Sequence, residues 1–166
     1  MMLRSMIAAR GVTRSVRLTR SLAVRFASAA ATTANPLVEC VRERTLPPFE
    51  RLEISHIEPA VKDAAADYTR DLRELERSLA SQLPDIKWDQ VVNPLELQSD
   101  PLGRMWGVVG HLMSVRNSDE LRKVHDELQQ LVIQTFTETS QSKTLFDAYQ
   151  AVRNGSEWED LTLAQQ

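Results

Sequence analysis

The sequence has little of the residues and patterns on which several protein classes depend. Its single cysteine, Cys40, allows no internal disulfide and no cysteine-based zinc site. Its five glycines form neither a phosphate-binding loop nor a dinucleotide fingerprint. No apolar run is long enough for a secretory signal core or a membrane span. These absences argue against a disulfide-stabilised secreted fold and against the common nucleotide-binding folds.

Acidic residues are absent from residues 1–38, whereas all 23 Asp and Glu residues follow. The same segment carries six arginines among small, hydroxyl and apolar side chains: Arg4, Arg10, Arg14, Arg17, Arg20 and Arg25. An Arg-rich, Ser-rich start without acids is typical of an organellar transit peptide, and a positive amphipathic helix is attracted to anionic membranes. We therefore predict a transit peptide over residues 1–34. A disordered basic tail or a nucleic-acid-binding arm is the alternative.

The segment Val24-Arg25-Phe26-Ala27-Ser28 resembles a mitochondrial processing site, with Arg25 two residues before a cut after Phe26. On this interpretation the mature chain begins at Ala27 and lies in the mitochondrial matrix, with the chloroplast stroma as the alternative. Removal of the leader leaves 14 basic and 23 acidic residues, so the net charge changes from −3 to −9. An acidic body argues against nucleic acid as the main partner.

The rest of the chain predicts an all-α fold of antiparallel helices. Residues 35–54 contain Pro36, Pro47 and Pro48 and are predicted to be an extended segment before the first helix. Within it, Leu46-Pro47-Pro48-Phe49 is predicted to pack against the rest of the fold. Residues 55–166 are predicted to be helical. The first helix is expected to begin at a capping box of Ser55 and Glu58 and to end before Pro84. Its predicted buried face consists of apolar residues three or four positions apart: Ile57, Val61, Ala64, Tyr68, Leu72, Leu75 and Leu79. Its charged residues are interpreted as solvated surface: Asp63, Asp67, Arg70, Arg73, Glu74 and Arg77.

A second helix is predicted from Trp88 to Arg116, with a kink or a division into two pieces at Pro94 and Pro101. Glycine in a helix costs about 1 kcal/mol against alanine. We therefore expect close helix–helix approach at the three glycines of this segment, Gly103, Gly107 and Gly110. Trp88, Trp106 and Trp158 are expected to be packing anchors.

Two further helices follow. One begins after the cap Ser118 and buries Leu121, Val124, Leu128, Leu131, Val132 and Phe136. The other spans Lys143 to Asn154, shows Leu145, Phe146, Tyr149 and Val152 on one face, and ends at Gly155. Thr162 and Gln165 form another capping box, so a further helix, and a domain that continues beyond Gln166, are expected.

No catalytic, cofactor-binding or metal residue can be assigned from motifs. The histidines His56, His111 and His125 include no pair at the i, i+4 spacing and no H-E-x-x-H motif. The acidic pairs Glu74/Glu76 and Asp126/Glu127 are explained as solvated helix surface. The residues alone predict an all-helical segment without a visible active site.

An ordered set of short segments nevertheless resembles the N-terminal region of the oligopeptidase A and thimet oligopeptidase family of zinc metallopeptidases. In chain order the segments are Asn35-Pro36-Leu37, Leu46-Pro47-Pro48-Phe49, His56-Ile57-Glu58-Pro59-Ala60-Val61, Trp88, Pro94-Leu95-Glu96, Asp100, Leu102-Gly103-Arg104-Met105-Trp106, His111-Leu112, Val115, Asn117-Ser118, Glu120-Leu121-Arg122, Leu145-Phe146, Ala148-Tyr149, Arg153 and Gly155. Each segment is weak alone, and their shared order over about residues 35–166 carries the resemblance.

The resemblance implies a much longer, almost wholly helical enzyme with two lobes around a deep channel that admits short, unfolded peptides. It also implies a zinc ion on an H-E-x-x-H helix in a C-terminal catalytic domain, where the glutamate acts as general base. Because the chain contains no such motif, it is expected to be inert alone and to need that domain as a partner. Its helices are expected to form part of the channel wall, without cofactor, nucleic-acid binding or stable membrane insertion.

Two other functions stay open. A stand-alone helical module would hold peptides or a protein without cleaving them, through apolar residues left exposed at Leu128, Val132 and Phe136 or near Trp106. A mitochondrial structural or assembly factor is the third hypothesis.

Overall fold

A computed structural model describes residues 35–166. Within that range the chain is helical and contains no strand, which confirms the predicted all-α class. The elements are α1 (Pro36–Arg42), a 3-10 turn (Ile54–His56), α2 (Ile57–Gln82), α3 (Trp88–Val115), α4 (Asp119–Ser140), α5 (Lys143–Asn154) and a second 3-10 turn (Trp158–Asp160). The leader over residues 1–34 lies outside the described residues and stays a prediction.

Helix α1 corrects the prediction that residues 35–54 are extended throughout. Pro36 occupies the first helical position, where its missing N–H would have no partner in any case and its fixed φ suits a helix. The Asn35 Oδ1 accepts a hydrogen bond from the Leu37 N–H at 3.0 Å, and its Nδ2 donates to the His56 carbonyl at 2.8 Å. Pro36 therefore begins a helix, and Asn35 ties that helix to the start of α2.

The C-terminal end of α1 is closed by a residue in the left-handed conformation, Arg44, with φ 54°. The Thr45 N–H donates to the Cys40 carbonyl at 3.0 Å, and the Arg44 N–H donates to the Val41 carbonyl at 3.3 Å. This pair of bonds is a Schellman motif, in which glycine is the usual residue at the left-handed position. The guanidinium of Arg104 also donates to the Val41 and Thr45 carbonyls, at 3.4 and 3.3 Å.

Helix α2 begins at Ile57, and the predicted capping box of Ser55 and Glu58 is wrong. The Ser55 hydroxyl contacts the Glu53 carboxylate at 3.4 Å, and Glu58 pairs with Lys62 one turn later. The His56 Nδ1 instead accepts the Glu53 N–H at 3.1 Å. All seven residues of the predicted apolar face are buried, and the helix ends at Gln82, before Pro84, as predicted.

Helix α3 runs without a break from Trp88 to Val115, so the predicted division into two pieces at Pro94 and Pro101 does not occur. Each proline removes one backbone donor from the helix. Packing is found on both sides of the prolines: Val91, Leu102, Met105 and Val109 are all 0% exposed, and Val92 and Leu95 pack partly buried between Val91 and Leu102. Tertiary packing therefore outweighs the local preference of the two prolines.

The three glycines of α3 make no close helix–helix approach, contrary to prediction. Gly103, Gly107 and Gly110 lie on the exposed side of α3. A Cβ added at any of them would meet no heavy atom within 4 Å. Close approach therefore gives no reason for glycine at these positions.

Helices α4 and α5 begin at the caps Ser118 and Ser142, whose hydroxyls accept the N–H groups of Leu121 and Leu145. Both helices have the predicted course, and α5 has the predicted bounds. The predicted α4 stripe is correct: Leu121, Leu128 and Val132 are buried, and Val124, Leu131 and Phe136 pack partly buried against them. The α5 face is partly wrong, since Phe146 and Tyr149 are 61% and 43% exposed while Ala148 is fully buried.

Two clusters of buried side chains lie along the α2–α3 pair. The first core combines the first half of α2 and the second half of α3 with α1 and α4, and contains Leu37, Cys40, Val41, Leu52, Ile57, Ala60, Val61, Ala64, Ala65, Tyr68, Leu102, Met105, Val108, Val109, Leu112, Leu121, Leu128 and Val132. The second core combines the remaining halves with α5, and contains Leu72, Leu75, Leu79, Ile86, Val91, Leu145, Ala148 and Val152. This division requires α2 and α3 to run antiparallel, as predicted.

Candidate functional site

The three histidines occupy separate local environments. His56 accepts the Glu53 N–H, His111 packs on Phe49 with ring centroids 5.1 Å apart, and His125 stacks on Trp106 at 4.9 Å with an 18° interplanar angle. Across residues 35–166 no group of three His, Cys, Asp or Glu side chains could hold a metal ion. The described residues therefore do not fit the zinc ion that the family resemblance implies, and no chemical step can be assigned to them.

Cys40 is a buried member of the first core. Its side chain is 4% exposed, and its Sγ donates to the Leu37 carbonyl at 3.2 Å. Burial raises the pKa of this thiol, against the opposing influence of the Arg104 charge. A buried thiol with a raised pKa is a poor nucleophile, so Cys40 is a packing residue.

Two tyrosines have raised pKa values for a structural reason. Burial raises the pKa of Tyr68, whose hydroxyl lies 2.8 Å from the Thr139 Oγ1 and joins α2 to α4. Burial, followed by the charge of Glu96, raises the pKa of Tyr149. Both shifts favour the neutral phenol, and neither hydroxyl is activated as a base.

The arrangement with the clearest potential for binding is a groove of about 660 Å³ along α2, which Leu131 of α4 borders. Its floor is apolar because small side chains, Ala65 and Ala66, lie beside Leu131. Every charged residue that lines it is a cation: Lys62, Arg70, Arg73 and Arg77. We call this feature the basic groove. Its cations share one side of α2 because they recur at helical spacing.

The four cations of the basic groove differ in how they are paired. Lys62 binds Glu58 at 2.5 Å, and Arg70 binds Asp67 at 2.6 Å and Asp71 at 3.0 Å. Hydrogen bonds to these carboxylates raise the pKa of Lys62 and that of Arg70.

Arg73 and Arg77 have no carboxylate within ion-pair distance among the residues that the structure describes. The positive charge of the groove is therefore least compensated over the second half of α2.

A second, smaller groove of about 310 Å³ lies where the Leu46–Phe49 segment meets α3. Phe49 and His111 close one side, and Arg104 is engaged by the carbonyls at the end of α1. Phe49 packs against the first core as predicted, whereas Leu46 is 88% exposed. This groove is built from groups that already stabilise the fold.

Sequence reasoning missed the basic groove, because Arg70, Arg73 and Arg77 were interpreted as solvated surface. The signal was present in the sequence: arginines spaced three and four residues apart follow three adjacent alanines on α2. What the sequence did not show is that Leu131 lies beside this stripe. Of the apolar residues proposed for partner binding, Leu128 and Val132 are wrong because they are buried, whereas Phe136 and Trp106 are partly buried.

The described part of the chain is thus a helical scaffold with a cationic surface groove. No helix in residues 35–166 is long and apolar enough to cross a membrane. The family model for the neurolysin/thimet oligopeptidase N-terminal domain matches residues 61–166. The chain therefore belongs to the thimet oligopeptidase family, through its N-terminal domain.

Curated relatives place the chain on the oligopeptidase A side of this family. It is 30% identical over 133 residues to organellar oligopeptidase A, chloroplastic/mitochondrial, of Arabidopsis thaliana, covering 80% of this chain and 16% of that protein. It is 33% identical over 132 residues to oligopeptidase A of Haemophilus influenzae, covering 80% and 18%. Oligopeptidase A of Escherichia coli is 34% identical over 120 residues, covering 72% and 17%.

The chain therefore spans less than a fifth of the length of these relatives. No solved structure matched it.

Proposed function

We propose that the chain is the N-terminal helical region of an organellar oligopeptidase that degrades short peptides, with residues 35–166 forming part of the wall of its substrate channel. The observation that carries the proposal is the family match over residues 61–166, joined to a groove of peptide size on the same helices. Family resemblance assigns the zinc ion and the H-E-x-x-H helix to a catalytic domain. Residues 35–166 would then contribute part of the wall of the substrate channel and the positive charge on that part of the wall.

The leader supports an organellar setting. Residues 1–34 carry six arginines and no acid, and one relative is named as chloroplastic/mitochondrial. We place the protein in the mitochondrial matrix, with the chloroplast stroma as the alternative, where presequence fragments and turnover products would be its substrates. A full-length fluorescent fusion should enter the organelle. A fusion in which the six arginines are glutamine should stay in the cytosol, and equal import of both would contradict this assignment.

Activity of the chain by itself gives a direct test. The 166-residue polypeptide, supplied with zinc and a quenched fluorescent peptide, should show no turnover. Hydrolysis that a chelator abolishes would contradict the assignment of chemistry to another domain.

A chimera tests the channel role itself. Residues 35–166 would replace the matching segment of the Escherichia coli oligopeptidase A, and the enzyme lacking that segment would serve as control. The chimera should hydrolyse short peptides and the control should not. A folded, metal-loaded chimera no more active than the control would overturn the proposal and favour the stand-alone binding module.

A further inference from the structure

We propose that the basic groove binds an extended acidic peptide, with carboxylates two residues apart in the peptide seated on Arg73 and Arg77. The inference deepens the proposed function: it names the class of peptide, and it rests on that function for the role of the peptide as substrate. Binding itself depends only on the geometry and charge of α2.

The spacing of the two arginines matches an extended chain. Arg73 and Arg77 are four residues apart in α2, which places them about 6 Å apart along the helix axis. In an extended peptide, side chains at i and i+2 point to the same side and are separated by about 6.6 Å. A peptide that lies along α2 with acids at alternate positions therefore presents successive carboxylates to successive turns.

The length of the stripe sets the length of the ligand. Lys62 and Arg77 are fifteen residues apart in α2, so the basic stripe extends about 22 Å along the helix. An extended peptide of about seven residues covers this distance. The groove thus fits a short peptide along its whole length.

Charge pairing decides which end of the groove holds the carboxylates. Lys62 and Arg70 already bind Glu58, Asp67 and Asp71, and the charge of Glu127 also acts on Lys62. A peptide carboxylate at that end would compete with these acids.

Arg73 and Arg77 meet no such acid among the groove residues that the structure describes. The neighbouring Glu76 is turned aside, since it accepts a hydrogen bond from the Ser142 hydroxyl. A guanidinium can bind a carboxylate through two parallel hydrogen bonds, which adds direction to the charge attraction.

The surroundings of Arg73 and Arg77 favour binding of an acidic peptide there over binding elsewhere on the surface. From Ala27 onward the chain carries a net charge of −9, so most of its surface repels an acidic peptide. The floor at Ala66 and Leu131 is apolar, and the Thr69 hydroxyl that also lines the groove already donates to the Ala65 carbonyl at 2.9 Å. Acidic residues at alternate positions satisfy the arginines, while the side chains between them face the solvent.

The experiment measures binding by fluorescence anisotropy with the chain from Ala27 onward, because the six arginines of residues 1–26 would themselves attract an acidic peptide. The probe is a fluorescein-labelled peptide, Gly-Glu-Ser-Glu-Ser-Glu-Gly, and its comparison peptide carries glutamine in place of glutamate. We expect the glutamate peptide to bind more tightly and its affinity to fall with added salt. Arg73→Gln combined with Arg77→Gln should weaken binding by about tenfold or more, because two charge-assisted contacts are lost.

A matched control removes two positive charges elsewhere. Arg51 and Arg153 are exposed and do not line the groove. Arg51→Gln combined with Arg153→Gln should leave the affinity within about twofold, since only long-range, screened charge is lost. Circular dichroism at 222 nm should show unchanged helicity in both double variants.

Three results would overturn the inference: equal affinity for both peptides, equal weakening in both double variants, and displacement of the peptide by an equal concentration of an eight-nucleotide oligothymidylate. The last would identify a general polyanion surface. If the anisotropy assay shows no specific binding of the acidic peptide, the result of the chimera assay still stands. If the chimera is inactive, the measured affinity for the acidic peptide still stands. The two proposals can therefore be contradicted separately.

Discussion

The two cores share the same pair of long helices and differ in what covers them. The first core is closed by α1 and by α4, which has 22 residues, whereas the second core is closed by α5, which has 12. Tyr68 ends the first core on α2 and Leu72 begins the second. The difference shows that a long helical pair needs separate covers for its two ends. The shorter cover protects fewer side chains from solvent.

The covers also differ in what they leave exposed. On α5, the aromatic residues Phe146 and Tyr149 are 61% and 43% exposed, and Ala148 supplies the inward contact. On α4, the aromatic Phe136 instead packs on the first core and contacts the ring of Tyr68. We therefore expect the first core to govern global stability and the second to open more readily.

Cavity-forming substitutions provide the strongest test of this difference. Leu102→Ala, at a fully buried position in the first core, should lower the free energy of unfolding by about 3 to 5 kcal/mol. Leu145→Ala, 3% exposed in the second core, should lower it by about 2 to 3 kcal/mol, because a short covering helix collapses more easily onto a cavity. Urea unfolding followed at 222 nm measures both.

Native-state hydrogen exchange gives an independent check. Amides of α5 should exchange through openings of lower free energy than those of α4. Equal protection of the two helices, or a larger loss from Leu145→Ala than from Leu102→Ala, would break the ranking of the two cores.

Removal of one hydroxyl at the boundary between the cores should have a smaller effect. Tyr68→Phe deletes the 2.8 Å contact with the Thr139 hydroxyl and should lower the free energy of unfolding at pH 7 by about 1 kcal/mol.

The same substitution should change the alkaline limb of the stability curve. Burial raises the pKa of Tyr68 in the folded chain, so its contribution is complete below the unfolded pKa of about 10 and is lost as the pH rises further. Tyr68→Phe should flatten the fall in stability above about pH 10 more than Tyr149→Phe, since Tyr149 is 43% exposed. Parallel curves for wild type and Tyr68→Phe would contradict this explanation.

A substitution at the end of α1, next to the first core, is expected to increase stability by a similar amount. Arg44 holds the left-handed position of the α1 Schellman motif at φ 54°, where a side chain is strained. Arg44→Gly should raise the free energy of unfolding by about 1 kcal/mol. Glu43→Gly, at an ordinary φ of −86°, is the matched control and should produce no gain. Equal changes in melting temperature for Arg44→Gly and Glu43→Gly would contradict this explanation.

The smallest changes in stability are expected for alanine substitutions at two glycines, Gly107 with open space around it and Gly155 with close neighbours. Gly107→Ala on α3 places a methyl group where no heavy atom lies within 4 Å, and should stabilise by about 0.5 to 1 kcal/mol. At Gly155, after α5, a Cβ would lie 3.1 Å from the Ala151 carbonyl oxygen, so Gly155→Ala should destabilise by about 1 kcal/mol. Melting temperatures that shift in the same direction for both would refute the distinction.

Particular residues show where sequence patterns succeed. The cap Ser118 and the apolar face of α2 depend on hydrogen bonds and spacings within one or two turns. The bounds of α5 were likewise predicted from its apolar spacing and its closing glycine, Gly155. Periodicity and capping are local properties, so a single sequence contains the information that they require.

Other residues show where such patterns fail. Pro94 and Pro101 were expected to kink α3 or to divide it in two, and the helix is continuous and packs against α1, α2, α4 and α5. Glycine in a helix suggested close approach, yet the neighbours of Gly107 were set by the placement of other helices. The basic groove was missed for the same reason: its arginines are visible in the sequence, and its border at Leu131 is not.

The sequence by itself determined the helical class, most helix boundaries, the family resemblance and the separation of a basic leader from an acidic body. These properties depend on composition and on interactions between residues a few positions apart. Tertiary structure decided how α3 packs across its two prolines and that four cations border an apolar floor. Each of these depends on residues far apart in the chain, whose proximity arises only when the helices pack and bury their apolar faces.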